Sequence, residues 1–102
     1  MLLLFNREFD SKTWKEKPSE RKYFLKQLTK DNLLIGKTKE EIENLFGREN
    51  NLAENNRWSY FVYKSFWRRG RNYVLAFYFE DNRVVKMETE YRYKKKFRVL
   101  GA

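Results

Sequence analysis

The chain has 102 residues, 41% of them apolar and 19% aromatic, and carries a formal net charge of +9 with no cysteine and no histidine. That length fits one domain with a modest core. The missing cysteines exclude disulfides, thiolate metal sites and thiol nucleophiles, and the missing histidines remove the usual general base near neutral pH and the commonest metal ligand.

The charge is uneven along the chain. Residues 1–51 hold 11 basic and 9 acidic side chains, whereas residues 52–102 hold 12 and 5. A basic half favours acidic partners such as nucleic acid, anionic lipid or an acidic protein surface, and it also aids solubility.

Met1-Leu2-Leu3-Leu4-Phe5 is apolar but stops at Asn6. A membrane-spanning helix needs about 20 apolar residues, so no transmembrane segment is expected. A signal peptide needs a longer run and a cleavage site. The run reads either as the remnant of a trimmed leader or as a start that tucks against the domain. Residues 6–18 mix charge with Phe9 and Trp14 and show no periodicity. They read as an extended arm, which divides the chain into an arm over 1–17 and a single domain over 18–102.

Pro18 suits the first turn of a helix, where its missing N–H costs nothing, and Glu20 complements the helix dipole. Phe24, Leu25 and Leu28 then form one stripe, predicting a helix over 18–30 that ends at Asp31-Asn32. Thr38 to Glu41 is a capping box. Ile42, Leu45 and Phe46 follow on one face, and Gly47 is the expected left-handed stop. Residues 48–56 are polar and read as a loop.

Thirteen of the nineteen aromatics lie between Trp58 and Phe97. Three strands are predicted there, over 57–63, 73–79 and 84–93, with a turn at Glu80-Asp81-Asn82-Arg83. The third strand alternates, with Val85, Met87, Thr89, Tyr91 and Tyr93 on one side and Lys86, Glu88, Glu90 and Arg92 on the other. That is the pattern of an antiparallel sheet with one wet face. Lys94-Lys95-Lys96 ends it, unless Phe97 and Val99 extend it. The predicted fold is α+β: two N-terminal helices packed on one face of a three- or four-stranded antiparallel sheet. The expected core is Phe24, Leu28, Leu34, Ile42, Leu45 and Phe46 against Leu75, Phe77, Phe79, Met87 and Tyr91. Both faces of the 73–79 strand are apolar, so its buried face stays open.

Gly36-Lys37-Thr38 before a helix has a superficial likeness to a phosphate-binding loop. The full pattern needs a glycine where Asp31 stands, and Leu33-Leu34-Ile35 cannot wrap a phosphate. Glu88 and Glu90 share a strand face, but Lys86 and Arg92 flank them, which reads as a charge-paired surface rather than a catalytic pair. With four serines and no histidine or cysteine, no nucleophile–base pair can be assembled. The chain reads as a non-enzyme with no cofactor and no metal site.

Residues 64–72 link two strands and set Phe66 and Trp67 beside Arg68, Arg69 and Arg71. Rings and guanidinium groups together suit a protein contact, where Trp and Arg are over-represented. The same set suits single-stranded nucleic acid. It also fits a hairpin whose rings fold back onto the core. The signature of RNA-recognition domains is not met around Arg71-Asn72-Tyr73-Val74, and the βαββαβ order is absent.

From Leu33 to about Glu90 the chain resembles the small BamE/SmpA-type lipoprotein domain, whose layout is shared with the β-lactamase-inhibitor-protein repeat. The resemblance rests on Leu34-Ile35-Gly36-Lys37-Thr38, the helix Lys39 to Gly47, the strand around Trp58-Ser59-Tyr60, and Leu75 to Glu88 with its Glu80-Asp81-Asn82-Arg83-Val84 turn. Phe46-Gly47 stands where the family has Leu-Gly. Upstream, Phe9-Asp10-Ser11, Trp14-Lys15 and Arg21 are similar to uncharacterised bacterial proteins with this domain. The resemblance implies a non-catalytic module that binds other proteins, commonly in the bacterial envelope. This chain lacks the lipid-bearing cysteine. An envelope location is expected if an upstream leader was removed, and a cytoplasmic one otherwise. The expected function is thus protein binding through Phe66, Trp67, Arg68, Arg69 and Arg71 to a partner with an acidic surface. The alternative is nucleic-acid binding by the basic, aromatic half.

Overall fold

Helices come first and strands last in the computed structural model, which describes residues 8–30, 32–49, 51–52, 54–65 and 71–92. α1 (Ser11–Glu16) is followed by a 3₁₀ segment (Pro18–Phe24) that runs into α2 (Leu25–Lys30), and then by α3 (Lys39–Phe46). β1 (Arg57–Ser65), β2 (Arg71–Glu80) and β3 (Arg83–Arg92) form one antiparallel sheet in the order β1-β2-β3. This is the expected α+β arrangement, with a helical layer against one sheet face and one helix more than the sequence indicated.

The additional helix is α1, so the expectation of an extended arm does not hold for residues 11–16. Asp10 starts it: its carboxylate accepts the Lys12 N–H at 3.1 Å and the Thr13 hydroxyl at 2.8 Å. The Thr13 bond, helped by the Lys12 amide, holds the Asp10 carboxyl below its ordinary pKa. Trp14 is fully buried and stands edge-on to Phe46, with ring centroids 5.0 Å apart. Phe9 adds a third ring, 4.9 Å from Phe46. The Ser11 hydroxyl donates to the Leu45 carbonyl at 2.7 Å, satisfying one of the open carbonyls at the end of α3.

Pro18 opens the second helical stretch, as predicted, but the chain winds there as a 3₁₀ helix. In that winding residues three apart lie one above the other. Arg21 and Phe24 therefore share the inward side, and both are buried.

α3 begins with the predicted capping box. The Glu41 N–H donates to the Thr38 hydroxyl at 3.2 Å, and the Thr38 N–H donates to the Glu41 carboxylate at 2.9 Å. Gly47 ends the helix at φ +85° and ψ −167°, so its φ is positive but its ψ is extended rather than left-handed helical. Its N–H closes on the Glu43 carbonyl at 2.8 Å. Its carbonyl accepts the Tyr60 hydroxyl at 2.8 Å.

Asp81 and Asn82 have φ of +51° and +66°. Two consecutive positive values make the two-residue hairpin turn whose twist matches the strands. Trp58 and Tyr60 on β1, Leu75, Phe77 and Phe79 on β2 and Val84 on β3 are buried toward Phe24, Leu28, Leu34, Ile42 and Phe46. Each such side chain contributes roughly 1.5–3 kcal/mol by leaving water. Leu45 and Met87 are only partly buried, and Tyr91 is at intermediate exposure. The question of the β2 face resolves in favour of Leu75, Phe77 and Phe79. Val74 and Ala76, on the opposite face, are buried too. There the Arg57–Glu90 ion pair at 2.9 Å passes over Ala76 from β1 to β3.

Val85 departs from the expected alternation. The β2–β3 register shifts between Tyr78 and Phe79, so Val85 is an extra residue opposite β2. Val84 is buried while Val85 is 47% exposed. The readings of Tyr93, Lys94-Lys95-Lys96, Phe97 and Val99, and of Met1 to Phe5, lie outside the described residues.

Candidate functional site

The last rung between β1 and β2 pairs Ser65 with Arg71, and the rung before it pairs Lys64 with Asn72. Phe66, Trp67, Arg68 and Arg69 fall on the connection that follows and lie outside the described residues. Arg71, the fifth predicted contact, opens β2 and is half-buried. The connection leaves the sheet at the end opposite the Asp81-Asn82 turn.

Next to that end, three tyrosines cross the sheet. Tyr63, Tyr73 and Tyr91 occupy one rung. Tyr63 and Tyr73 stack with centroids 4.9 Å apart, and Tyr73 and Tyr91 are 4.7 Å apart. The Tyr73 hydroxyl donates to the Thr89 hydroxyl at 2.7 Å.

The two edges of the sheet are built differently. Along β1 the outward backbone is capped by side chains. The Ser59 N–H donates to the Asn51 amide oxygen at 3.3 Å, and the Asn51 amide returns a bond to the Ser59 carbonyl at 3.4 Å. The Phe61 N–H donates to the Glu49 carboxylate at 3.0 Å, and Arg21 donates to the Phe61 carbonyl at 2.9 Å. Arg21 is 5% exposed, the one buried charged residue among the described residues. It also donates to the Trp14 carbonyl at 2.8 Å and lies over the Trp14 ring at 4.8 Å. Just beyond Phe61 the β1 register shifts at Val62. A bulge of this kind bends an edge strand away from regular pairing.

Along β3, Val84 donates its N–H to the Lys37 carbonyl at 2.9 Å and accepts the Gly36 N–H at 2.8 Å. Thus Gly36 and Thr38 direct their N–H groups at Val84 and Glu41, and Lys37 bonds Leu34. Those amides serve the fold, which agrees with rejecting a phosphate loop here. Beyond Val84 no described strand pairs with the outer edge of β3.

Six of the described acidic side chains have structural partners. Asp10 and Glu41 cap helices, Glu49 holds Arg21 and Glu43 meets Arg48 at 2.9 Å. On the wet face Glu88 meets Lys86 at 3.2 Å, and Glu90 takes Arg57 together with the Tyr78 hydroxyl at 3.0 Å. The expected charge pairing of this face holds, with Arg57 of β1 as the cation for Glu90. Among the described residues no three acidic side chains are grouped as metal ligands, and no helix is long and apolar enough to cross a membrane.

Sequence reasoning named Arg21 only within the resemblance, not as a cap on β1, and did not find Glu49 or Asn51. They meet β1 from the 3₁₀ segment and from the loop after α3, and no local pattern marks them. Comparison with protein-family models, with curated proteins and with solved structures finds no match to this chain.

Proposed function

We propose that the chain is a non-enzymatic protein-binding module. Its contact is the β1–β2 connection, with Phe66, Trp67, Arg68, Arg69 and Arg71, and its partner presents an acidic surface. What supports the reading is that Ser65 pairs with Arg71, so the sequence that holds Phe66, Trp67, Arg68 and Arg69 joins β1 to β2. Loops held by a rigid scaffold are where binding residues concentrate. The similarity to BamE/SmpA-type domains argues in the same direction and favours a bacterial, envelope-associated setting. The test is affinity capture from the source cell with the wild-type chain and with Arg68→Glu/Arg69→Glu. A partner held by the first and lost by the second supports the reading. Capture that the charge reversal leaves intact overturns it.

Nucleic-acid binding is the second reading, favoured by the Tyr63–Tyr73–Tyr91 rung beside the basic connection. Anisotropy with labelled single-stranded RNA and DNA distinguishes the two. Phosphate contacts release counterions, so genuine binding falls steeply between about 0.05 and 0.2 M salt and still exceeds binding to heparin.

A further inference from the structure

Five large apolar side chains are exposed among the described residues, and three of them, Leu33, Ile35 and Val85, gather at one corner. Single exposed leucines need no explanation, but a group does. The fold holds these three outward. The Gly36 N–H donates to the Val84 carbonyl at 2.8 Å, the Val84 N–H to the Lys37 carbonyl at 2.9 Å, and Arg83 to the Gly36 carbonyl at 2.8 Å. With the turn pinned to β3, Leu34 takes the inward position at 5% exposure. Leu33 and Ile35 on either side of it stand 58% and 41% exposed. Val85 follows the bonded Val84 and is the residue that the register shift turns out.

Positive charge runs through this corner. Residues 21–39 hold six Lys and Arg and one acid, Asp31. Arg21 is turned inside, onto Glu49, and Lys39 lies over the Trp58 and Phe79 rings. Lys26 and Lys30 are four apart on α2, so they share one side of it, and both are exposed while Leu28 is buried. Lys22 before them is exposed as well, and Lys37 follows Ile35 by two residues. Among the described residues no ion pair holds any of these four lysines. Glu40 and Glu41 stand in the first turn of α3, where Glu41 turns its carboxylate back to the Thr38 N–H.

We propose that this corner docks on the surface of an anionic lipid bilayer. Leu33, Ile35 and Val85 enter the headgroup layer, and Lys22, Lys26, Lys30 and Lys37 meet lipid phosphates around them. The contact is with a surface and needs no spanning helix. It lies at the end of the sheet away from the β1–β2 connection and stands independently of that contact.

Side-chain chemistry selects the bilayer over other acidic partners. Protein hot spots favour Trp, Tyr and Arg, and protein interfaces are depleted in Lys, whereas this corner offers aliphatic groups and lysines. Single-stranded nucleic acid needs rings to stack on, and phosphate contacts alone would leave Leu33 and Ile35 in water. A second copy would set the same lysines against each other. Aliphatic side chains beside lysines match both layers of a membrane surface, the anionic headgroups and the acyl boundary beneath them.

The test is sedimentation of the full chain with vesicles of phosphatidylcholine alone and of phosphatidylcholine with about 30% phosphatidylserine. Binding is expected to the second and not to the first. Leu33→Asn/Ile35→Asn keeps the net charge and should weaken binding about tenfold. Lys26→Glu/Lys30→Glu should weaken it by about tenfold or more. Arg68→Glu/Arg69→Glu lowers the net charge by the same amount and should weaken it less than about threefold. Equal losses from the two charge reversals would show that net charge alone holds the vesicles and would overturn the site. Undiminished binding of the asparagine variant, or no binding of the wild type, would overturn the bilayer contact. Self-association of the wild type that the asparagine variant loses would replace the bilayer with a second copy. A second measurement needs no variant: bicelles carrying a paramagnetic headgroup lipid should broaden the Leu33 and Ile35 amides most, and broadening centred elsewhere would overturn the site. Vesicle binding that survives Arg68→Glu/Arg69→Glu while partner capture is lost separates this surface from the β1–β2 connection.

Discussion

The Arg21 guanidinium and the Glu49 carboxylate meet at 2.5 Å beside Phe61, and between them they bond both the N–H and the C=O of that residue. One ion pair thus acts as a stretch of neighbouring strand. It ties the 3₁₀ segment and the loop after α3 to the edge of β1.

Arg21→Ala should destabilise the chain by about 3 kcal/mol, because it leaves Glu49 without its cation in a partly buried site. Glu49→Gln should cost less, since an amide oxygen can still accept the Phe61 N–H. Urea denaturation of both single variants and the double variant gives the coupling. Strict additivity would contradict the pairing.

Thr38→Ala should cost about 1 kcal/mol through loss of the cap on α3. The Thr38 N–H holds the Glu41 carboxyl below its ordinary pKa. A depressed carboxyl stabilises the fold above its unfolded pKa, and that contribution is lost as pH falls through the folded value. Melts at decreasing pH should therefore show a smaller acid loss for Glu41→Gln than for the wild type.

Tyr60→Phe should cost about 1–2 kcal/mol, because the half-buried Gly47 carbonyl loses its donor. Burial also pushes the Tyr60 phenol well above its ordinary pKa. A raised pKa gives stability that is complete below the unfolded value and is lost as pH rises toward the folded one. In an absorbance titration Tyr60 should ionise only at the unfolding transition.

Trp67→Ala should change stability by less than about 0.5 kcal/mol, as exposed substitutions do, and weaken partner capture by about 2 kcal/mol. A loss of about 3–5 kcal/mol in a denaturant melt would place that ring in the core and remove it from the contact surface.

Local chemistry was the legible part of this chain. Thr38 and Glu41 are three residues apart, and Asp81-Asn82 is a dipeptide, so sequence spacing suffices to read the cap and the turn. The stripe of Ile42 and Phe46 marks an inward face in the same way, whereas both faces of the 73–79 strand are apolar and only the fold decides for Leu75, Phe77 and Phe79. α1 escaped because a helix of six residues with one buried side chain, Trp14, has no periodicity to show. The bulges at Val62 and Val85 add a residue without changing composition. Arg21 and Glu49 lie far apart in sequence, and only the fold brings them to Phe61. The predicted contact was read from ring and guanidinium content as a link over residues 64–72, whereas Lys64, Ser65, Arg71 and Asn72 lie on the strands, and nothing in that content marks which strands are the edges. An edge is a property of sheet order, which no single strand encodes.

The side-chain cap on β1 also governs how far association can go. Stacking of copies into a fibril requires each sheet to offer two receptive flanks, so that every addition exposes a fresh one. With Asn51, Glu49 and Arg21 holding the outward backbone groups of Ser59 and Phe61, the β1 flank has no open rung at those residues, so a fibril cannot propagate through that stretch of the sheet.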